Sequence, residues 1–333
     1  MPDRARYDVI GLGNAIVDVL ARVDEAFVAR ESAAPKGGMT LIEEERAVSM
    51  YAAMPPSLEA SGGSAANTIA GVASFGGTTA YMGKVADDQL GTVFRHDIRA
   101  AGVEFDTAAL KGGPATARCL VLVTPDGERA MNTFLGASSL FSEADVDAEK
   151  VAAAKIVYLE GYLFDRDAAK AAFVRAAEAA KARDRKVALT LSDAFCVDRH
   201  RESFAQLVKN HIDILFANER ELLSLYETDD FDAALQRARA DSVLAFVTRS
   251  AKGSVILAGN DVHIVEAIPP VPGVVDTTGA GDQYAAGALF GLARGRPLID
   301  CGRLGAVAAA EVISHLGPRP ETSLKGLAEA AGV

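Results

Sequence analysis

Residues 155–192, "KIVYLEGYLFDRDAAKAAFVRAAEAAKARDRKVALTLS", decide the fold. The first eight are an apolar β-type run, 165–184 an alanine-rich helical segment opened by an acidic cap, and 186–192 a second apolar run. Strands that are apolar throughout and joined through a helix imply a βαβ unit in a parallel sheet covered on both faces. The alternation continues downstream with a helix over 198–210, a strand over 212–218, helices opening at Glu219 and Phe231, and a strand over 242–250. "SVILAG" and "DVHIVEA" then read as a hairpin turning near Gly259 and Asn260, and two helices, 279–294 and 297–315, close the chain.

Upstream, the pattern predicts a buried strand at 7–13, a helix at 67–76, a strand at 78–85 and a helix at 88–102. The stretches 15–23, 38–43, 115–124 and 128–136 alternate with period two instead, as strands with one wet face do. They predict a small β-sheet lid, built by two excursions from the main sheet at about 14–43 and 104–136, within one domain spanning 1–333. An exposed edge of that lid would be the place for a second copy to pair as a homodimer.

Half of the 333 residues are apolar, yet no uninterrupted apolar window of about 18 occurs, so no membrane span is expected. The start, "MPDRARYDVIGLGN", lacks the pattern of a signal peptide. Cys119, Cys196 and Cys301 have no paired spacing, as in a reduced, cytoplasmic protein, and are expected to be buried apolar residues. A net charge of −11 argues against a nucleic-acid partner. Phosphate would have to be held by a local device such as backbone amides.

Gly11 and Gly13 follow a strand but lead into another strand, which fails the context of a dinucleotide fingerprint. "GGTTAYMGKV" is out of register for a P-loop and ends on Val85 where Ser or Thr should hold magnesium. The five histidines have no metal-ligand spacing, and there is no G-x-S-x-G elbow.

In "ASGGSAANTIAG" (60–71), Gly62 and Gly63 precede a helix. One reading is a turn with Ser64 as N-cap; the other lets a ligand approach the bare backbone while Asn67 offers donors and acceptors to a diol. In "DTTGAGDQYAAG" (276–287), Gly279 and Gly281 free successive amides to face one concavity at a helix N-terminus, where the dipole favours an anion. Asp282 either caps that helix or serves as a base beside the cradle. A helix N-terminus should keep its carboxyl ionised and its pKa low, which loose phosphoryl transfer tolerates, because the base mainly orients the hydroxyl. The stretch thus reads as amides for a transferring phosphoryl and an aspartate for the attacking hydroxyl.

Taken together, "GGSAAN", "NERE" (218–221), "DTTGAGD" and the two-excursion lid resemble the PfkB, or ribokinase-like, family of carbohydrate and nucleoside kinases along the whole chain. The resemblance implies a three-layer α/β fold, a mostly parallel central sheet flanked by helices with a small β lid, and ATP with Mg2+. It makes Asp282 the catalytic base and the amides of Gly279, Ala280 and Gly281 an anion hole. Asp18, Gly63 and Asn67 would hold the acceptor's ring hydroxyls. Asn218 and Glu221 would organise Mg2+ and the ATP phosphates, Arg129 would swing toward them, and Thr248 and Gly253 would meet ATP. Asp276 and Thr278 would bind a monovalent cation such as K+. Asn14 with Asp18 in "GNAIVDV", and Ser64 where ribokinases carry lysine, resemble the adenosine-kinase branch, with Ile16, Leu135 and Tyr162 sandwiching a purine. Adenosine is then the expected acceptor, with ribose, fructose or a similar sugar, or a non-catalytic nucleoside- or sugar-binding role, as alternatives.

Overall fold

The computed structural model describes residues 5–241 and 243–333. Residues 1–4 of the N-terminal stretch, and Ser242 at the head of the strand predicted over 242–250, lie outside the described residues. In chain order the strands are β1 (Tyr7–Leu12), β2 (Ile16–Arg22), β3 (Met39–Leu41), β4 (Leu58–Gly62) and β5 (Thr79–Met82). They continue with β6 (Val103–Glu104), β7 (Ala117–Val123), β8 (Arg129–Phe134), β9 (Ala154–Glu160) and β10 (Lys186–Thr190). The last are β11 (Ile214–Asn218), β12 (Leu244–Thr248), β13 (Ser254–Ala258) and β14 (Asp261–Val265).

The main sheet has the order β14-β13-β12-β11-β10-β9-β1-β5-β6 and is parallel except for the antiparallel pairs β12–β13 and β13–β14. One face buries Phe173, Phe204, Leu222 and Leu235 from the helices of 167–240; the other buries Ile69, Tyr284 and Cys301 from helices Ser64–Ser74, Ala280–Ala293 and Leu298–Val312. This gives the expected three layers. It also sends the carboxyl ends of β1, β9 and β11 to one rim, where open α/β sheets bind ligands. Asn14, Glu160 and Asn218 stand there because their strands end there.

The second sheet, β3-β8-β7-β2-β4, holds the four predicted lid strands and one more. β4, "LEASG", is poor in β-branched residues and takes its extended form from pairing with β2, so the first excursion runs to Gly62 and not to residue 43. The alternation holds in β2, where Val17, Val19 and Ala21 are buried and Ile16, Asp18 and Leu20 are half-buried. It fails in β7, which is buried along its length. The face expected to be wet is an apolar surface of Ile16, Leu20, Cys119, Val121, Val123 and Met131. The edge strands expose Met39, Leu41 and Leu58.

Helices Glu25–Glu31, Glu44–Ala53 and Leu324–Ala330 were not foreseen. The helix expected over 165–184 runs Asp167–Lys181, with Arg166 at the cap position and Asp167 in its first turn; the side chain of Asp165, part of the expected acidic cap, lies outside the described residues. The one expected over 198–210 starts at Ala194, where the Asp193 side chain accepts from the amides of Phe195 and Cys196. All three cysteines are buried, and among the described residues none forms a disulfide. Among the described residues no helix is long and apolar enough to cross a membrane.

Candidate active site

Two helix N-termini meet at the site, and each is preceded by a glycine the fold requires. Gly63 has φ 97°, and a Cβ there would lie 2.2 Å from the Asn14 carbonyl oxygen. Gly279 has φ 76°, and its Cβ would lie 2.7 Å from Pro318 Cα. A side chain at either position is excluded by both conformation and contact. Asp282, in the first turn of Ala280–Ala293, reaches across to the other helix. It accepts a hydrogen bond from Ser64 Oγ at 2.6 Å and one from Asn67 Nδ2 at 3.2 Å. Gly63, not Ser64, holds the cap position of its helix, and Asp282 makes no capping bond to its own.

Burial pushes the Asp282 carboxyl up to about 6, against the pull of its two hydrogen bonds and of Arg319. The low value expected from the helix N-terminus is therefore corrected: removal from water outweighs the dipole and the donors. A carboxylate titrating near neutrality is the better general base.

Around this pair runs a polar network. The side chain of Asn14 is occupied within the protein: Nδ2 donates to Glu160 Oε1 at 2.7 Å and Oδ1 accepts from Ser138 Oγ at 2.9 Å. Glu160 also accepts from the Ala65 amide at 2.8 Å, tying β9 to the start of helix Ser64–Ser74, and burial pushes its carboxyl up to about 7. Asp18, likewise pushed to about 7 by burial with Arg319 opposing, lies against Gly62, where a Cβ would sit 2.2 Å from Asp18 Oδ2. Asp18, Ser61 and Arg319 line a cavity of about 290 Å3 whose walls include Leu20, Leu58, Val123 and Leu316. Arg319 donates Nε to Asn67 Oδ1 at 3.2 Å and Nη1 to Ser61 Oγ at 2.5 Å, and burial lowers its pKa to about 10.

Glu160 and Arg319 were not picked out from the sequence. An acid ending the apolar run "KIVYLE" is the signal that would have found the first. An arginine between two prolines in "GPRP" carries no comparable pattern.

In the cradle, the amides of Gly279, Gly281 and Asp282 have no acceptor among the described residues, while that of Ala280 turns back to Thr277 O at 3.3 Å. A Cβ on Gly281 would meet nothing within 4 Å, so its backbone faces open space. Lid residue Arg129, itself partly exposed, stands beside this cradle, its Nη1 2.5 Å from Oδ1 of buried Asp276 in an ion pair. Asp276 also accepts from the amides of Thr278 at 2.6 Å and Gly317 at 3.0 Å. The monovalent-cation site expected at Asp276 and Thr278 does not fit this arrangement, because a guanidinium already meets the carboxylate and would repel a second cation.

Asn218 and Glu221 form a capping box at the start of helix Glu219–Leu225. Asn218 Nδ2 donates to Glu221 Oε1 at 2.6 Å, its amide to Oε2 at 3.0 Å, and Glu221 N donates back to Asn218 Oδ1 at 2.9 Å. Burial pushes Glu221 up to about 7. Thr248 pairs with Asn218 across β11 and β12, at the same rim. Gly253 has φ 79° and packs on β14, where a Cβ would lie 2.0 Å from Val265 O, so the chain's own packing explains that glycine. Ile16 belongs to the apolar lid face, half-buried Leu135 precedes a 3-10 turn, and Tyr162 packs against the core beneath the sheet. The three do not converge on one cluster.

A buried carboxylate poised over open helix amides, at the carboxyl rim of a three-layer α/β fold with a β lid, defines a phosphotransferase with an alcohol group as acceptor. The chain belongs to the pfkB family of carbohydrate kinases, whose profile matches residues 57–324. It is 27% identical to adenosine kinase 1 of Arabidopsis thaliana, over 93% of this chain and 94% of that one. Among solved structures, adenosine kinase from Sinorhizobium meliloti is similar at 52% identity and a TM-score of 0.92, covering 98% of this chain and 100% of that one. A probable sugar kinase from Rhizobium etli is similar at 51% identity and a TM-score of 0.92, covering 98% and 99%.

Proposed function

We propose that this chain transfers the γ-phosphoryl of ATP to the 5′-hydroxyl of adenosine. The observation that carries the reading is Asp282, held by Ser64 and Asn67 beside amides that have no acceptor of their own. Asp282 takes the proton of the attacking hydroxyl, and the amides of Gly279, Gly281 and Asp282 receive the charge of the transferring phosphoryl. Arg129 adds a positive charge at the same place. Asp18 and Asn67 hold the ribose hydroxyls, and the apolar lid face covers the base and keeps water out.

Magnesium, when bound with the phosphates, neutralises their charge. Asn218 and Glu221 are already bonded to each other, so they would hold the water shell of that ion through their remaining lone pairs. Potassium has no part in this reading, since Asp276 has its cation in Arg129.

The likeness to a probable sugar kinase supports a second reading, with a monosaccharide as acceptor. The test is kcat/KM for adenosine, inosine, ribose and fructose at matched ATP and magnesium, followed by ADP release. Adenosine is expected to lead by a wide margin. If ribose or fructose leads, the sugar reading replaces it and the assignment of Asp282 stands. If none of the four releases ADP, a binding role without catalysis replaces both.

A further inference from the structure

We propose that Arg319 is a positioning residue of the reaction: it fixes the Asn67 amide with its NH2 end toward Asp282. The proposal rests on the phosphoryl-transfer reading above. An asparagine side chain has one donor end and one acceptor end, and an acceptor end turned toward a carboxylate would be repelled. Arg319 decides the matter by giving Nε to Asn67 Oδ1, which leaves Nδ2 for Asp282.

A structural arginine ordinarily finds a carboxylate. Among the described residues Arg319 forms no ion pair; its bonds go to the neutral oxygens of Asn67 and Ser61, and its enclosed Nη2 has no partner. Its own segment is bolted to the cradle. Ile313 O accepts from the amides of Val275 and Asp276, Gly317 N donates to Asp276, and Pro318 O accepts from Gln283 Nε2. The guanidinium is thus held between the cradle segment and the Asn67 and Ser61 side chains.

The ionisable groups facing Asp282 are Asp18 from β2, Tyr81 from β5, Tyr158 and Glu160 from β9, Tyr162 beyond its end, Glu221 from the capping box, and Arg319. Asp282 raises the proton affinity of Asp18, Glu160 and Glu221, while that of Asp282 itself is raised by burial and lowered by its bonds to Ser64 and Asn67 and by Arg319. Loss of the charge should therefore raise the Asp282 pKa, and loss of the fork should misplace Asn67.

The experiment is a carboxyl-carbon NMR titration of Asp282 in protein labelled at the aspartate carboxyls, assigned through Asp282→Asn. It is run on wild type, Arg319→Gln and Arg319→Lys, with Tm measured alongside. The wild-type midpoint is expected at about 6. In Arg319→Gln it should rise by about one pH unit. In Arg319→Lys, which keeps the charge and loses the planar fork, it should stay near wild type. With ATP and whichever acceptor serves best, Arg319→Gln should lower kcat roughly tenfold and move the acid limb with the midpoint, while Arg319→Lys lowers kcat and leaves the limb in place. In an Asn67→Ala background the Arg319→Gln loss should shrink to about twofold, because both act through one contact.

A folded Arg319→Gln with an unmoved midpoint and limb overturns the proposal. Should Arg319→Gln fail to fold, wild-type kcat in Arg319→Lys overturns it. The titration needs no acceptor, so absence of nucleoside turnover by wild type would strike the functional reading and leave this result standing.

Discussion

The proposed acceptor side and the proposed nucleotide side of this site handle their polar groups in different ways. On the acceptor side, side chains from distant parts of the chain satisfy one another: Asn14 with Glu160, Ser64 and Asn67 with Asp282, Arg319 with Asn67 and Ser61. Each bond spans a large sequence separation, so the network is complete only when the fold is. On the nucleotide side, Asn218 and Glu221 close on each other three residues apart, and the cradle amides stay open. The first arrangement is rigid and pre-formed. The second leaves donors free for a ligand, with Arg129 already lodged on Asp276. The difference suits a reaction whose acceptor must be aimed to within a fraction of an ångström, while the donor's phosphates are met mainly by charge and amides.

The sharpest way to break this comparison is Asp282→Asn, which keeps the shape of that network and removes the proposed base. Turnover is expected to fall by roughly 10²- to 10⁴-fold with both ligands still bound, as calorimetry and steady-state kinetics would show. Near-normal turnover in the purified variant would mean that the network merely positions the acceptor.

The two glycines of the cradle separate structure from function. Gly281→Ala meets no protein atom within 4 Å, so Tm should hold while kcat falls roughly ten- to a hundredfold, because the new methyl stands where the phosphoryl must approach. Gly279→Ala meets Pro318 at 2.7 Å from a φ of 76°, and should lose at least about 1–2 kcal/mol of stability. An effect of Gly281→Ala on the acceptor's KM alone, with kcat unchanged, would move the cradle to the acceptor side.

The smallest effect is on pH dependence. With Asp282 as the proposed base, kcat should fall below about pH 6. Stability should move the other way. Asp18, Glu160, Glu221 and Asp282 all have folded values raised by burial, so between about 5 and about 7 these four bind more protons in the folded chain than in the unfolded one, whereas Asp8, Asp88, Glu104, Asp106, Asp126 and Glu219, held low by their partners, act the other way toward pH 4. Stability is then lost as pH rises through that window and gained as pH is lowered, with His211, which burial holds below its ordinary value, opposing in part. Tm by calorimetry should be higher at about pH 6 than at about pH 8, while kcat is lower. A Tm that falls together with kcat between about pH 8 and about pH 6 would show that the site carboxyls are ionised and paired rather than desolvated.

The sequence by itself determined the parallel sheet, through apolar runs joined by helices, and the position of the cradle, through glycines that the backbone requires. It also marked Asp282, Ser64 and Asn67, because short motifs at helix starts are local events with local signals. Only the tertiary structure decided how these meet. The pKa of Asp282 depends on burial by elements more than 200 residues away in the chain, as its bond to Ser64 at a separation of 218 illustrates. The occupation of Asp276 by Arg129 depends on lid strand β8 reaching the cradle, which no spacing encodes. β4 became a strand through its partner β2, and the wet face of β7 became a covered one. Arg319 became part of the site only because the segment after the last long helix folds back over both ligand sites. Periodicity reports what one element needs from its surroundings, whereas desolvation and long-range charge report which surroundings it received.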